Sequence, residues 1–251
     1  MDNMACDNER KKLSTRSRAL ISAVAILISA VFVICCALCV FQIKTAVDPG
    51  KPRIVCIGDS LTFGSGVRET RDQDAWPAVL EQELDGKYDV LNYGISGTVV
   101  QVSGDKPYDA TMWEEAKKQH AQIYLFMLGS NDTKPQNWNR AQLSYQLGQM
   151  VKDLKRVPGV KTVYLMVPTP GYKLNEGDRY GIYNIDVDLI NTELPPLFRE
   201  CAEKTGVELI DLYSLCEGHP EYMVDGVHPN KEANRLIGEY IAQVLREHGD
   251  G

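Results

Sequence analysis

Four short segments of this chain carry side chains whose types and spacing could do chemistry. Gly58-Asp59-Ser60-Leu61-Thr62-Phe63-Gly64 places a serine in a turn directly after an apolar run. A hydroxyl exposed there could attack a carbonyl, although an ordinary Asp/Ser turn or helix cap would read the same way. Asp225-Gly226-Val227-His228-Pro229-Asn230 sets a carboxylate and an imidazole on one loop with two residues between them. A serine hydroxyl is a poor nucleophile until a base takes its proton, and an imidazole held in one tautomer by a carboxylate is such a base. The alternative is a turn leading into a helix, capped by Asn230. In Asn92-Tyr93-Gly94-Ile95-Ser96-Gly97, the absence of a side chain at Gly94 could let a backbone N–H approach an oxyanion, and a plain loop fits equally. In Leu128-Gly129-Ser130-Asn131-Asp132, the Asn131 amide could donate to the same oxyanion, though Asn and Asp are also common turn residues.

The elements that must position these residues can be read from hydrophobic periodicity. Apolar runs at 53–58, 88–93, 122–128, 161–167 and 207–212 read as five buried strands. Helical patterns fall at 75–84, 139–156, 185–204 and 231–247, with Pro77 tolerable in a first turn and Pro195-Pro196 interrupting the third. Strands alternating with helices imply an α/β fold whose parallel sheet is covered on both faces. Ligands in such folds sit beyond the carboxyl ends of the strands, which is where all four segments lie.

Nucleophile, backbone donor, amide donor and base thus occur in that order, each after a different expected strand. The constellation resembles the SGNH hydrolase family, also called GDSL esterases/lipases, over roughly residues 52–248. The resemblance implies a three-layer α/β/α sandwich of flavodoxin-like type with a five-stranded parallel sheet. It also implies a catalytic triad of Ser60, His228 and Asp225, with an oxyanion hole formed by the N–H groups of Ser60 and Gly94 and the Asn131 amide. The expected activity is removal of short acyl groups from carbohydrate or lipid esters, through an acyl-enzyme on Ser60. Similarity to small bacterial O-acetylesterases and lysophospholipase-like members points to short acyl groups, with acetylated glycans among the expected substrates. A surface O-acyltransferase and a non-catalytic anchored glycan-binding module are the alternatives. No Cys/His cluster has metal-ligand spacing and no phosphate-binding loop occurs, so neither metal nor organic cofactor is expected.

Residues 19–43 contain no charged side chain. As a helix they would span roughly 37 Å, enough to cross a hydrocarbon core of about 30 Å. A removable signal peptide would have a shorter apolar region and a small-residue cleavage site. The expected organisation is therefore a cytoplasmic leader at 1–18, a transmembrane anchor at 19–43, a linker at 44–51 and the hydrolase domain at 52–251. Arg10, Lys11, Lys12, Arg16 and Arg18 precede the span and only Lys44 closely follows it. That asymmetry places the N-terminus inside and the catalytic domain outside the cell membrane. Residues 1–51 carry +3, which leaves −10 of the total −7 for the rest. A domain of that charge would repel phosphate backbones, so nucleic acid is not an expected partner. His120, His219 and His248 lack a partner pattern and read as surface or helix-end residues. Trp138 and Tyr145 read as core packing rather than as walls of a groove. Cys201 and Cys216 could form a bridge, but two cysteines without a denser framework do not argue for one.

Overall fold

The computed structural model describes residues 50–251. The expected leader at 1–18, anchor at 19–43 and most of the linker lie outside the described residues. Among those described, no helix is long and apolar enough to cross a membrane.

Five strands form one parallel sheet: β1 (Arg53–Gly58), β2 (Asp89–Gly94), β3 (Ile123–Met127), β4 (Thr162–Val167) and β5 (Glu208–Asp211). Their spatial order is β2-β1-β3-β4-β5. Each strand falls within a residue or so of its expected position. β1, β3 and β4 are buried almost throughout, which is why they read as continuous apolar runs rather than alternating ones.

The longer helices are α1 (Trp76–Glu83), α2 (Ala110–Lys117), α3 (Arg140–Leu154), α4 (Val187–Thr192), α5 (Leu194–Thr205) and α6 (Lys231–Glu247). α1 packs on α6 and β2, while α3 and α5 pack on each other and on β4. The sheet is thereby covered on both faces. Each of the better-predicted helices has a local cause. α3 buries Leu143, Leu147, Val151 and Leu154 along one stripe, and the Asn139 side chain caps it by accepting from Gln142 N at 3.1 Å. α1 carries Pro77 in its first turn, where the missing N–H breaks no helical bond.

Two expectations need correction. The pattern at 185–204 is two helices, α4 and α5, with the break at Glu193. The ring of a proline clashes with the preceding helical turn, so the chain restarts and both prolines sit in the first turn of α5. The sequence pattern also marks no element between β2 and β3, yet α2 lies there, capped by Asp109 accepting from Met112 N at 2.8 Å. Only Ala116 is fully buried in α2, so its amphipathic stripe is too faint to stand out.

Register decides where the chemistry emerges. Gly58 at the end of β1 pairs with Gly94 of β2 and with Met127 of β3. Three strands therefore end level, and the loops bearing Ser60, Gly94–Gly97 and Asn131 leave the same edge of the sheet. In the order β2-β1-β3, the chain departs in opposite directions on either side of β1, which opens a crevice at that edge.

Candidate active site

Ser60 begins a short helical turn, Ser60–Phe63, directly after β1. Asp59 caps this turn, its Oδ1 accepting from Leu61 N at 2.9 Å. The turn closes on Gly64, whose φ of +90° is available to glycine at little cost. Both bland readings of this triplet are true, since it is a turn and a cap. The same geometry presents the Ser60 hydroxyl to the crevice.

His228 Nε2 lies 2.9 Å from Ser60 Oγ, across 168 residues of chain. On the other side of the ring, Nδ1 lies 2.7 Å from Asp225 Oδ2. Asp225 Oδ1 in turn accepts from His228 N at 2.9 Å and Val227 N at 3.1 Å, so one carboxylate fixes both the ring and the backbone beneath it. Burial raises the proton affinity of Asp225, but its hydrogen bonds and the nearby imidazole outweigh that and hold it below its ordinary value. An ionised carboxylate can only accept, so Nδ1 carries the imidazole proton and Nε2 is left to accept from the serine. His228 is buried and Asp225 half-buried.

The histidine loop is held from several sides. Gly226 sits at φ +82° and its carbonyl accepts from Tyr172 N at 2.7 Å. A Cβ at Gly66 would fall 2.1 Å from the Pro229 carbonyl oxygen, so the loop after Ser60 and the loop carrying His228 touch backbone to backbone. Asn234 of α6 accepts from Trp76 N at 3.0 Å and donates to the carbonyl of Pro229 at 2.8 Å. It thereby ties the start of α1 to the base.

The oxyanion side departs from the sequence expectation at one residue. The Gly94 N–H donates to Asn92 Oδ1 at 2.9 Å and is already satisfied. Gly94 is needed for another reason. A Cβ there would lie 2.2 Å from Phe63 N, so the strand end and the nucleophile turn can approach only through glycine. Three residues on, Gly97 lines the cavity with Ser60, Asn131 and His228, and its N–H donates to no atom among the described residues. Gly94 is therefore the packing glycine and Gly97 the one facing the cavity. Asn131 lines the same cavity. Its Nδ2 makes a long contact of 3.3 Å with Asp59 Oδ2, and its carbonyl accepts from Asn137 Nδ2 at 3.0 Å.

Two buried carboxylates stand behind these groups. Burial pushes Asp59 up to about 6, against the pull of the Leu61 N–H, the nearby His228 and the Asn131 amide. Asp132 is also pushed up to about 6 by burial, against donors from Val100 and Gln101. Its two oxygens accept from Val100 N at 2.9 Å and from Gln101 N and Nε2 at 3.1 Å, which ties the β2–β3 connection under Asn131. The sequence reading did not single out Asp59, Asp132 or Gln101. A carboxylate beside each expected catalytic residue was the available signal.

The remaining candidates lie elsewhere. His219 is exposed and pairs with Glu221, and His248 at the end of α6 stacks on Tyr164. Trp138 packs against the core, while Tyr145 is exposed, and neither lines the cavity. Cys201 and Cys216 are free thiols, pushed by burial to about 11 and about 12 respectively.

The chain is similar to known proteins. An acetylxylan esterase from Xylanibacter ruminicola is 30% identical over 214 residues, covering 77% of this chain and 43% of that protein. This chain thus spans less than half the length of that relative. The thioesterase 1/protease 1/lysophospholipase L1 of Escherichia coli is 26% identical over 197 residues, covering 77% of this chain and 83% of that one. Among solved structures, a carbohydrate acetylesterase from Sinorhizobium meliloti superposes with a TM-score of 0.63 at 21% identity, covering 79% of this chain and all of that one, and so shares the fold. Residues 56–236 match the model of the GDSL-like lipase/acylhydrolase family, a span that runs from β1 through the histidine loop into α6. By that match, and with the nucleophile, amide and histidine loops all on one edge of the sheet, this chain is a member of the GDSL-like lipase/acylhydrolase family.

Proposed function

We propose that the protein is a serine ester hydrolase that removes short acyl groups, acetyl above all, from carbohydrate esters. The observation that carries this reading is the hydrogen-bonded relay from Ser60 Oγ through His228 to Asp225, at 2.9 and 2.7 Å, opening on a cavity of about 290 Å³. His228 Nε2 takes the Ser60 proton as Oγ attacks the ester carbonyl. The negative charge on the carbonyl oxygen is met by the N–H groups of Ser60 and Gly97 and by the Asn131 amide. His228 then protonates the departing alcohol, leaving an acyl-serine. Water, deprotonated by the same imidazole, releases the carboxylic acid and restores the serine.

The cavity favours a small acyl group. Ile185 is the one aliphatic side chain among its described lining residues, and the others are largely serine, glycine and charged groups. A long acyl chain would find little apolar surface there. The acetylxylan esterase relative supports the same choice.

The reading extends to location. Residues 19–43, uncharged throughout, anchor the domain in the cell membrane, with the basic leader inside and the catalytic domain outside. Protease treatment of intact cells that trims the domain but spares the leader is the expected result; a fully protected domain refutes this topology.

The enzymatic reading is tested by incubating the purified full-length chain with p-nitrophenyl esters of increasing chain length, alongside Ser60→Ala. Turnover that falls as the acyl chain lengthens, and is lost in Ser60→Ala, is expected. Equal turnover by Ser60→Ala overturns it.

A further inference from the structure

The hydrolase domain is acidic, carrying −10 over residues 52–251, yet the mouth of its cavity is not. Arg68 and Lys134 line the cavity beside Ser60. Lys106 stands next to it, its Nζ donating to the Ser96 carbonyl at 2.7 Å and its stem packed within 4 Å of where a Gly97 Cβ would lie. Lys134 shares its charge with Asp105 at 3.4 Å, and that carboxylate is further held by Gln136 and Asn137. Arg68 lies 5.6 Å from the Phe63 ring centroid, and neither it nor Lys106 forms an ion pair among the described residues. Both are exposed. The carboxylate facing the cavity is Asp225, which is already committed to His228.

Several exposed cations lack an ion pair among the described residues, Lys87, Lys152 and Lys161 included, but Arg68 and Lys106 are the two placed at the cavity mouth, where with Lys134 they create a local positive field as a substrate enters. Tyr183 also lines the cavity; it is 64% exposed, with its ring centroid 5.8 Å from that of His228. Its φ of +58° is a conformation that a bulky residue seldom adopts, and strain of this kind gathers at ligand clamps. An exposed aromatic face beside the base is a surface on which the C–H face of a sugar ring can lie.

We infer that the substrate is an acetylated acidic saccharide, one whose sugar rings carry carboxylates, held between Tyr183 and the cations Arg68 and Lys106. This rests on the hydrolase reading above and names its substrate class. In the bound state a ring lies against Tyr183 with its acetyl carbonyl over Ser60. A carboxylate on that ring or its neighbour reaches the guanidinium of Arg68, which can donate to its two oxygens through two parallel N–H groups.

The test compares acetate release by the full-length chain from acetylated digalacturonate and from its carboxamide counterpart, which has the same shape without the charge. The wild type is expected to show a kcat/KM about tenfold higher for the acid, carried by KM and diminished at high salt. In Arg68→Gln/Lys106→Gln, the acid-to-amide ratio should fall to near one. A ratio differs from an activity in that general damage to the variant does not move it. A wild-type ratio near one, or a ratio that survives the double substitution, overturns the inference. So does faster consumption of an anionic lysophospholipid than of the acetylated acid. If neither saccharide loses acetate while p-nitrophenyl acetate is still cleaved, the saccharide assignment fails alone. If p-nitrophenyl acetate is not cleaved either, the hydrolase reading beneath it fails.

Discussion

Replacing Asp59 with asparagine should stabilise the protein at neutral and alkaline pH, although Asp59 lies beside the nucleophile. The carboxyl is 1% exposed, and burial moves it from 3.8 to about 6. A raised carboxyl pKa means that the folded state binds this proton more tightly than the unfolded chain does. Between about pH 4 and 6 the folded protein therefore holds a proton that the unfolded chain has lost, and stability falls as pH rises through that window. Above pH 6 the ionised form costs the fold about 3 kcal/mol, from a shift of roughly two units at 1.36 kcal/mol each. Asparagine removes that cost and keeps the cap, because its carbonyl can still accept from Leu61 N. It turns an amide donor towards the Asn131 amide, and the lost 3.3 Å contact costs about 1 kcal/mol. The net expectation is a gain of about 2 kcal/mol at pH 8 that passes through zero as pH falls and becomes a loss of about 1 kcal/mol below about pH 4. Urea titrations of both proteins at pH 4, 6 and 8 measure it. An Asp59→Asn protein less stable than wild type at pH 8, or a difference that does not change with pH, refutes the reasoning. Turnover should fall in the same variant, since a negative charge near His228 favours the imidazolium that forms during attack.

Asp132 carries the same raised value of about 6, yet Asp132→Asn should bring no gain at pH 8, because relief of about 3 kcal/mol is offset by a buried donor left unpaired at up to about 3 kcal/mol. Its two oxygens accept three donors from Val100 and Gln101, and an amide would turn its own donor against one or more of them; a gain in urea as large as that of Asp59→Asn would falsify this account. The two glycines of one loop should separate cleanly. Gly94→Ala pushes a methyl to within 2.2 Å of Phe63 N and should fail to fold or lose several kcal/mol, whereas Gly97→Ala meets only Lys106 at 3.7 Å. Gly97→Ala should fold, with about 1 kcal/mol of backbone strain from its φ of +82°, and lose turnover instead; thermal melts beside esterase rates decide, and the reverse order would return the oxyanion role to Gly94. Asn131→Ala should remain folded and lose about 10²–10³ in kcat, and turnover at the wild-type rate would remove its amide from the mechanism.

The sequence by itself determined the sheet. Strands β1, β3 and β4 are buried almost throughout, so their apolar runs are continuous and bounded by glycine or proline, and position and type can be read directly. Helices α3 and α6 have an apolar stripe and an asparagine cap at their start, and these signals are also local. α2 escaped because its contribution to the core is nearly one alanine, and the break before Pro195 was misplaced by a few residues because a proline acts on the turn that precedes it. The sequence also offers Ser60, Asn131, Asp225 and His228 as candidates, since each lies within two residues of a glycine or proline. Which glycine faces the cavity was decided only in three dimensions. Gly94 and Gly97 share one loop and one local signature, and the difference lies in a single Asn92 side chain that occupies the Gly94 N–H. The same holds for Arg68, Lys106 and Tyr183. Nothing in their neighbours marks them, because what gathers them is the crevice at the edge of the sheet, and a crevice exists only once distant strands have aligned.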